Sequence, residues 1–304
     1  MLRLAGLSRC SLILGVATLM VAGPASAQRP GPLQAGLLRV CADPDNMPSS
    51  NDKGEGFENK LASMIAKDWN SKLEYVWYPT RRGYFRILNG RYCDIAMGAP
   101  AGMDMTGSTK PYYRSAYVFV TRKGSGLEDI RSLDDPRLKT LKIGVNIYTS
   151  DAENSPPAMA LSQHGVVGNL TGFSTFFDDQ NRPEDVIKAV ASKTVDIAIA
   201  WGPLAGYYAR QASVPLVLNP LPDRDSISDL PLRYSIGIAV RRSDGELKDS
   251  LQKLLDGKAP AIQSLLKEYG VPVYPAPPAE DKTDKAAGAA QPATEDSSMT
   301  RRPA

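Results

Sequence analysis

Nine side chains in this sequence have the type and setting to recognise a partner: Asp43, Asp104, Arg81, Arg82, Trp77, Tyr112, Tyr113, Tyr148 and Trp201. The acids and arginines offer charge. The aromatic rings offer apolar area with a polar tip, which suits an organic ligand or a protein surface. Catalytic partnership is what the set lacks. His164 is the only histidine, and no Ser-His-Asp set, zinc-ligand spacing or nucleotide loop accompanies it. Nothing pairs the acids for a carboxylate mechanism either. Asp43, Asp45 and Asp52 share one loop, yet Asp-Pro-Asp-Asn-Met-Pro lacks the glycine and distal glutamate of an EF-hand. They read as solvated carboxylates. The chemistry on offer is binding, with no cofactor and no metal expected.

Each candidate also has a quieter reading. Tyr112 and Tyr113 suit packing between elements as well as contact, and for Trp77 packing leads. Arg81 and Arg82 lie in a turn ahead of a helix, which suits an anion or an acidic partner, or plain solvent. Trp201 stands at the end of a strand in a Gly-Pro loop, where function is favoured. His164 falls at a predicted helix end, where it reads as a cap.

The elements that must position these residues come in two similar sets. Cys93-Asp94-Ile95-Ala96-Met97-Gly98-Ala99-Pro100-Ala101-Gly102 is echoed by Val195-Asp196-Ile197-Ala198-Ile199-Ala200-Trp201-Gly202-Pro203-Leu204-Ala205-Gly206. Each copy follows a helix-like segment and a short turn. Each places a Gly/Pro loop just past the C-terminal end of a strand, where open α/β sheets bind ligands. The starts rhyme too: Leu38-Arg39-Val40-Cys41 against Leu141-Lys142-Ile143-Gly144.

Taken in order, Leu37–Ala42 is a strand, and residues 43–56 form a polar loop. Phe57, Leu61, Met64, Ile65 and Trp69 recur at helical spacing and predict one apolar helix face. Strands follow at Leu73–Trp77 and Asp94–Gly98, with a short helix near Tyr84–Asn89 between them. The order repeats after a connecting strand at Tyr117–Thr121: strand 141–145, a helix opened by Pro156-Pro157, strand 170–173, helix 183–192, strand 195–200. Leu204–Gln211 is a predicted helix and Leu216–Leu218 a short strand. Beyond a Pro/Asp loop at 219–231 come a strand at Tyr234–Val240 and two leucine-marked helices, the second behind Pro260. Alternation of strand and helix means βαβ units and a mostly parallel sheet.

The ends read differently. Arg3, Arg9, the apolar run 12–22 and Ala25-Ser26-Ala27 form the pattern of a secretory signal peptide over residues 1–27. No other stretch approaches the roughly 20 apolar residues of a membrane span. Without Arg3 and Arg9, 34 basic residues face 33 acidic ones, a balance that argues against nucleic acid. Cys10 leaves with the signal. Cys41 and Cys93 then suggest one disulfide in an exported chain. Both fall in predicted strands, where bridges need unusual geometry, so two buried thiols are the alternative. Residues 275–304 are Pro, Ala, Asp, Lys, Ser and Thr-rich and read as a disordered tail.

Leu38-Arg39-Val40-Cys41-Ala42-Asp43, Gly56-Phe57-Glu58-Asn59-Lys60-Leu61-Ala62, Cys93-to-Gly98 and Lys110-Pro111-Tyr112-Tyr113 together resemble the successive signatures of type II periplasmic solute-binding proteins. The likeness spans about residues 37–273. It implies two α/β lobes joined by two crossing strands, with solute bound between them. The implied lobes are 37–119 plus 232–274 and 120–218, with 28–36 as a linker and 219–231 as the return. Arg81-Arg82-Gly83-Tyr84, Met97-to-Gly102, Pro111-Tyr112-Tyr113-Arg114-Ser115, Ser132-to-Leu138 and Trp201-to-Tyr207 are similar to a narrower group. These are the solute-binding-like J proteins of the MxaJ/XoxJ type, associated with pyrroloquinoline-quinone-dependent methanol dehydrogenases. That resemblance implies a periplasmic accessory role in methanol oxidation, with the dehydrogenase as partner; nothing in the sequence demands more than a monomer. A substrate-binding component of an ABC importer, with a small organic ligand and a permease partner, is the alternative.

The departures from amino-acid binders of this fold narrow the ligand. Their carboxylate-binding Arg falls near Gly102 here, and their ammonium-binding Asp is replaced by Trp201-Gly202-Pro203. An unpaired zwitterion in a cleft costs several kcal/mol. An ordinary amino acid is therefore not the expected ligand.

Overall fold

The computed structural model describes residues 34–78, 83, 85–147, 154–175 and 182–275. The expected signal peptide, almost all of the linker and nearly all of the tail, with Arg81, Arg82 and Tyr148, lie outside them.

The first elements are β1 (Leu37–Ala42), a short hairpin of β2 (Asp45–Asn46) and β3 (Ser50–Asn51), α1 (Phe57–Asp68), β4 (Lys72–Trp77), α2 (Phe85–Asn89), β5 (Ile95–Pro100) and β6 (Gly107–Ser108). A long strand, β7 (Tyr113–Arg122), leads to β8 (Ile143–Ile147), α3 (Pro156–Gln163), β9 (Leu170–Ser174), α4 (Asp185–Ala191), β10 (Ile197–Trp201), α5 (Gly202–Ala209) and β11 (Leu216–Pro220). The chain closes with β12 (Arg233–Val240), α6 (Gly245–Gly257) and α7 (Ala259–Glu268).

The strands form one ten-stranded sheet in the order β4-β1-β5-β12-β7-β10-β8-β9, with β11 beside β7 and β6 beside β12. At each end, the outer three strands run parallel: β4, β1 and β5 at one, β10, β8 and β9 at the other. The two sets meet through antiparallel β12 and β7. The first residues of β7, Tyr113–Ala116, pair with β12, and its remainder pairs with β10 and β11. One strand therefore belongs to both halves.

Each half has its own core because each sheet face must be covered. On α1, Phe57, Leu61 and Ile65 are buried at four-residue spacing and pack with β1, β5, β12 and α7. The face opposite holds Cys41, Leu88, Cys93 and Ala239. In the second half Phe119, Ile143, Leu161 and Ile197 fill one face, and Val118, Val186, Val190 and Ala200 the other.

Cys41 and Cys93 are disulfide-bonded, with Cα atoms 5.5 Å apart. The sequence-based objection was that both lie within strands. Cys93 instead sits in the turn ahead of β5, where its Cβ can face Cys41 without distorting a ladder. A second difference concerns Trp201. It ends β10 and is followed at once by α5, so Gly202-Pro203 opens a helix and is not a loop. Pro is tolerated in a helix's first turn because no intrahelical partner is lost there.

Candidate functional site

Between the halves lies a cavity of about 440 Å³. Its walls come from the C-terminal ends of β5 and β10, the central strands β7 and β12, the β2–β3 turn and the start of α1, α3 and α5. That placement follows from the topology: ligands of open α/β sheets sit outside the carboxyl ends of the strands.

One wall is aromatic. Antiparallel register puts Tyr117 of β7 opposite Trp201 of β10, and β12 brings Tyr234 in on the other side of β7. Tyr117 and Trp201 meet edge-to-face at 5.3 Å, Trp201 and Tyr234 at 5.9 Å, and Tyr117 and Tyr234 at 6.4 Å. The Tyr234 hydroxyl donates to the Pro231 carbonyl at 2.9 Å. Such edge-to-face sets hold ring positions firmly. Tyr113 continues this lining towards the first half and packs edge-on against Phe57 at 5.9 Å.

Glu58 is the charged side chain on the cavity wall among the described residues. It is the second residue of α1, where an acid complements the helix dipole. It is nonetheless 7% exposed. Its carboxyl lies over Gly98, which has φ +67°. Any Cβ at residue 98 would collide with that carboxyl, so glycine serves both the backbone angle and the close approach. Burial first, and the nearby Asp43 carboxylate second, push Glu58 up to about 8. Burial and the Glu58 charge likewise raise the Tyr113 hydroxyl.

Prolines make much of the rest. Pro156 opens α3, Pro203 lies in the first turn of α5, and Pro48, Pro100 and Pro183 also face the cavity. Helix N-termini hold anions through backbone N–H groups. Proline has none, so these helix starts present ring methylenes where donors would stand. Asn146 and Thr175 add polar atoms, but each is engaged: Asn146 Nδ2 donates to the Pro183 carbonyl and Thr175 Oγ1 to that of Ile147.

Side-chain contacts among the described residues also bridge the halves. Arg182 pairs with Asp45 at 3.1 Å. Tyr207 of α5 stacks on Tyr269, just past α7, with ring centres 6.0 Å apart.

Of the residues singled out from sequence, Tyr113 and Trp201 line the cavity. Tyr112 is buried beside Tyr113, at 5.1 Å, within the first core. Asp43 is fully buried near Glu58 and off the wall, and its loop is pinned by Ser50 Oγ donating to the Asp43 carbonyl at 2.7 Å. Trp77 is 37% exposed and stacks on Tyr75 at 4.5 Å, on the edge strand β4. Asp104 lies in the exposed turn after β5. Among the described residues no cluster of three or more His, Cys, Asp or Glu could hold a metal ion. Sequence reading missed Glu58, Tyr117 and Tyr234. An acid in a helix's first turn and aromatics in strands both have ordinary structural explanations, and only the three-dimensional convergence sets them apart.

His164 caps α3 and also bridges the return segment. Its Nε2 lies 2.7 Å from Asp225 and its Nδ1 3.1 Å from Asp134. Asp225 further accepts from Ser228 N–H at 2.7 Å and Ser228 Oγ at 2.6 Å. Burial alone would raise Asp225, but the Ser228 and His164 contacts prevail and hold it at about 2.

Residues 86–271 match the family model for bacterial extracellular solute-binding proteins. Protein MoxJ of Methylorubrum extorquens is 32% identical over 79% of this chain and 83% of its own length. The crystal structure of the periplasmic binding protein XoxJ from Methylobacterium extorquens AM1 is 37% identical. It covers 79% of this chain and 100% of its own, with a TM-score of 0.64. The crystal structure of MxaJ from Methlophaga aminisulfidivorans MPT is 30% identical over 78% of this chain and 100% of its own, with a TM-score of 0.65.

Proposed function

Because this chain belongs to the bacterial extracellular solute-binding proteins, and within them to the MoxJ/XoxJ type, we propose that it is a periplasmic, non-enzymatic accessory protein of a pyrroloquinoline-quinone-dependent methanol dehydrogenase. The observation that carries this reading is the 37% identity to XoxJ over that protein's full length. Two features of the molecule support it. Among the described residues, the cleft wall carries no Lys or Arg for a ligand carboxylate, unlike the site expected of an amino-acid receptor. No helix among the described residues is long and apolar enough to cross a membrane, in keeping with an exported protein freed from its signal. In this reading the aromatic wall at Trp201 and Tyr113, or the surface around it, engages the dehydrogenase during its maturation or activation.

Size-exclusion chromatography tests it. The mature protein, mixed with its own organism's methanol dehydrogenase in cofactor-free and cofactor-loaded forms, should shift into one co-eluting peak, more completely with one loading state. Absence of a shift with either form would overturn the accessory role. The sheltered cavity favours one second reading in that event, the substrate-binding component of an ABC importer. A solute that raises the thermal midpoint would then support it.

A further inference from the structure

We infer that the cleft is a binding site for a small organic cation of the alkylammonium class, held by the Glu58 carboxylate and by the rings of Tyr117, Trp201 and Tyr234. The inference rests on reading this cleft as a ligand site and is independent of the dehydrogenase partner.

Glu58 is the starting point. A carboxyl that is 7% exposed and faces a cavity ordinarily has donors around it. Among the described residues, nothing donates a hydrogen bond to the Glu58 carboxyl, and no Lys or Arg lines the cavity. Among the described residues, the titratable groups that face it are Asp43 from the loop after β1, which has a partner of its own, and Tyr113 from β7. Gly98 of β5 is non-ionisable, and at the rim Asp45 is already matched by Arg182. A buried carboxylate of this kind is completed by a ligand that brings a positive charge.

The other walls say which cation. A hard metal ion takes six or more oxygen ligands, or a tight octahedral set, and the wall that Glu58 shares is made largely of aromatic rings and prolines instead. Aromatic faces attract organic ammonium groups and bury their methyls at the same time. The edge-to-face triad sets three such rings along one wall, at 5.3–6.4 Å from one another. The proline-started helices offer few N–H donors, which disfavours an anion. A cavity of about 440 Å³ has room for a small substituted ammonium.

Calorimetric titration of the mature protein with tetramethylammonium chloride, against sodium chloride at matched ionic strength, decides the matter. The probe does not titrate, so the pH dependence belongs to the protein. Since the cation binds ionised Glu58 and the free carboxyl sits at about 8, affinity should rise roughly tenfold per pH unit between pH 6 and 8 and level off above. Glu58→Gln should weaken binding at pH 9 and flatten the profile. Asp43→Asn should move the midpoint to lower pH while binding at pH 9 persists, which keeps the test open if E58Q does not fold. Equal heats with sodium, or no binding at pH 9, would overturn the proposal. So would affinity for the probe that falls as pH rises, since the ionised Glu58 carboxylate would then not be what holds the cation. None of these outcomes changes whether the dehydrogenase co-elutes, so the two readings fail separately.

Discussion

The two halves of this protein solve one local problem in two ways. In each, the first strand and the third must be locked side by side, and in each an aspartate at the head of the third strand does it. Asp94 N–H donates to the Arg39 carbonyl at 2.8 Å, and the Asp94 carboxylate accepts from Arg39 N–H at 3.0 Å. Asp196 repeats both bonds with Lys142, at 2.9 Å each. From there the halves part. In the first, the Arg39 guanidinium folds back onto Asp94 at 2.6 Å, Arg241 approaches at 3.6 Å, and all three are buried. Cys93, next to Asp94, is bonded to Cys41, two residues beyond Arg39. In the second, their counterparts are Gly144 and Val195, and a Cβ on Gly144 would lie 3.3 Å from Val195. A covalent bridge and a buried ion cluster in one half correspond to close van der Waals packing and a more exposed clasp in the other. The shared clasp sets the register, and the additions set how much force holds it.

The sharpest way to break this comparison is to remove each aspartate in turn. Asp94→Ala leaves two buried guanidiniums without their shared carboxylate and should cost about 3–5 kcal/mol. Asp196→Ala loses chiefly one backbone clasp and should cost about 1 kcal/mol. Denaturant melts of the two variants check the difference, and equal losses would mean that the first half's ion cluster adds nothing. Next in size is the disulfide. Replacing Cys41 and Cys93 by Ser should lower stability by about 4 kcal/mol if the unfolded chain is what the bridge restrains. Loss confined to the first half, read by hydrogen exchange, would sharpen the picture of two separate cores.

A smaller effect belongs to the second half and to acid. Asp225 is held at about 2 by Ser228 and His164, below its unfolded value of about 3.9. Its stabilising contribution is therefore complete above about pH 4 and disappears as pH falls through about 2. Asp225→Asn should flatten that limb of the stability–pH curve. An unchanged acid limb would assign it to other carboxylates.

Much of the architecture was legible in the chain. Phe57, Leu61 and Ile65 announce the buried face of α1 by spacing alone. The echo of Asp94-Ile95-Ala96 in Asp196-Ile197-Ala198 announces two equivalent strands, which the register confirms by pairing Val40 with Ile95 and Ile143 with Ile197. The site was legible only in part. Trp201 stands at a strand end after an apolar run, a local signal, and it faces the cavity. Trp77 and Asp104 carry equally plain local signals but lie at a sheet edge and on an exposed turn, because side-chain type does not encode which strand ends converge.

By itself, then, the sequence determined the elements, their duplication and the family, since these rest on periodicity, turn residues and motifs that act over a few residues. The tertiary structure alone decided the site. Glu58 is an ordinary first-turn acid until the fold buries it over Gly98 and beside Asp43. Tyr117 and Tyr234, more than a hundred residues apart in the chain, become one wall with Trp201 because β7 is shared between the halves and β12 returns beside it. Burial, charge proximity and ring contact are long-range properties, and no local pattern specifies them.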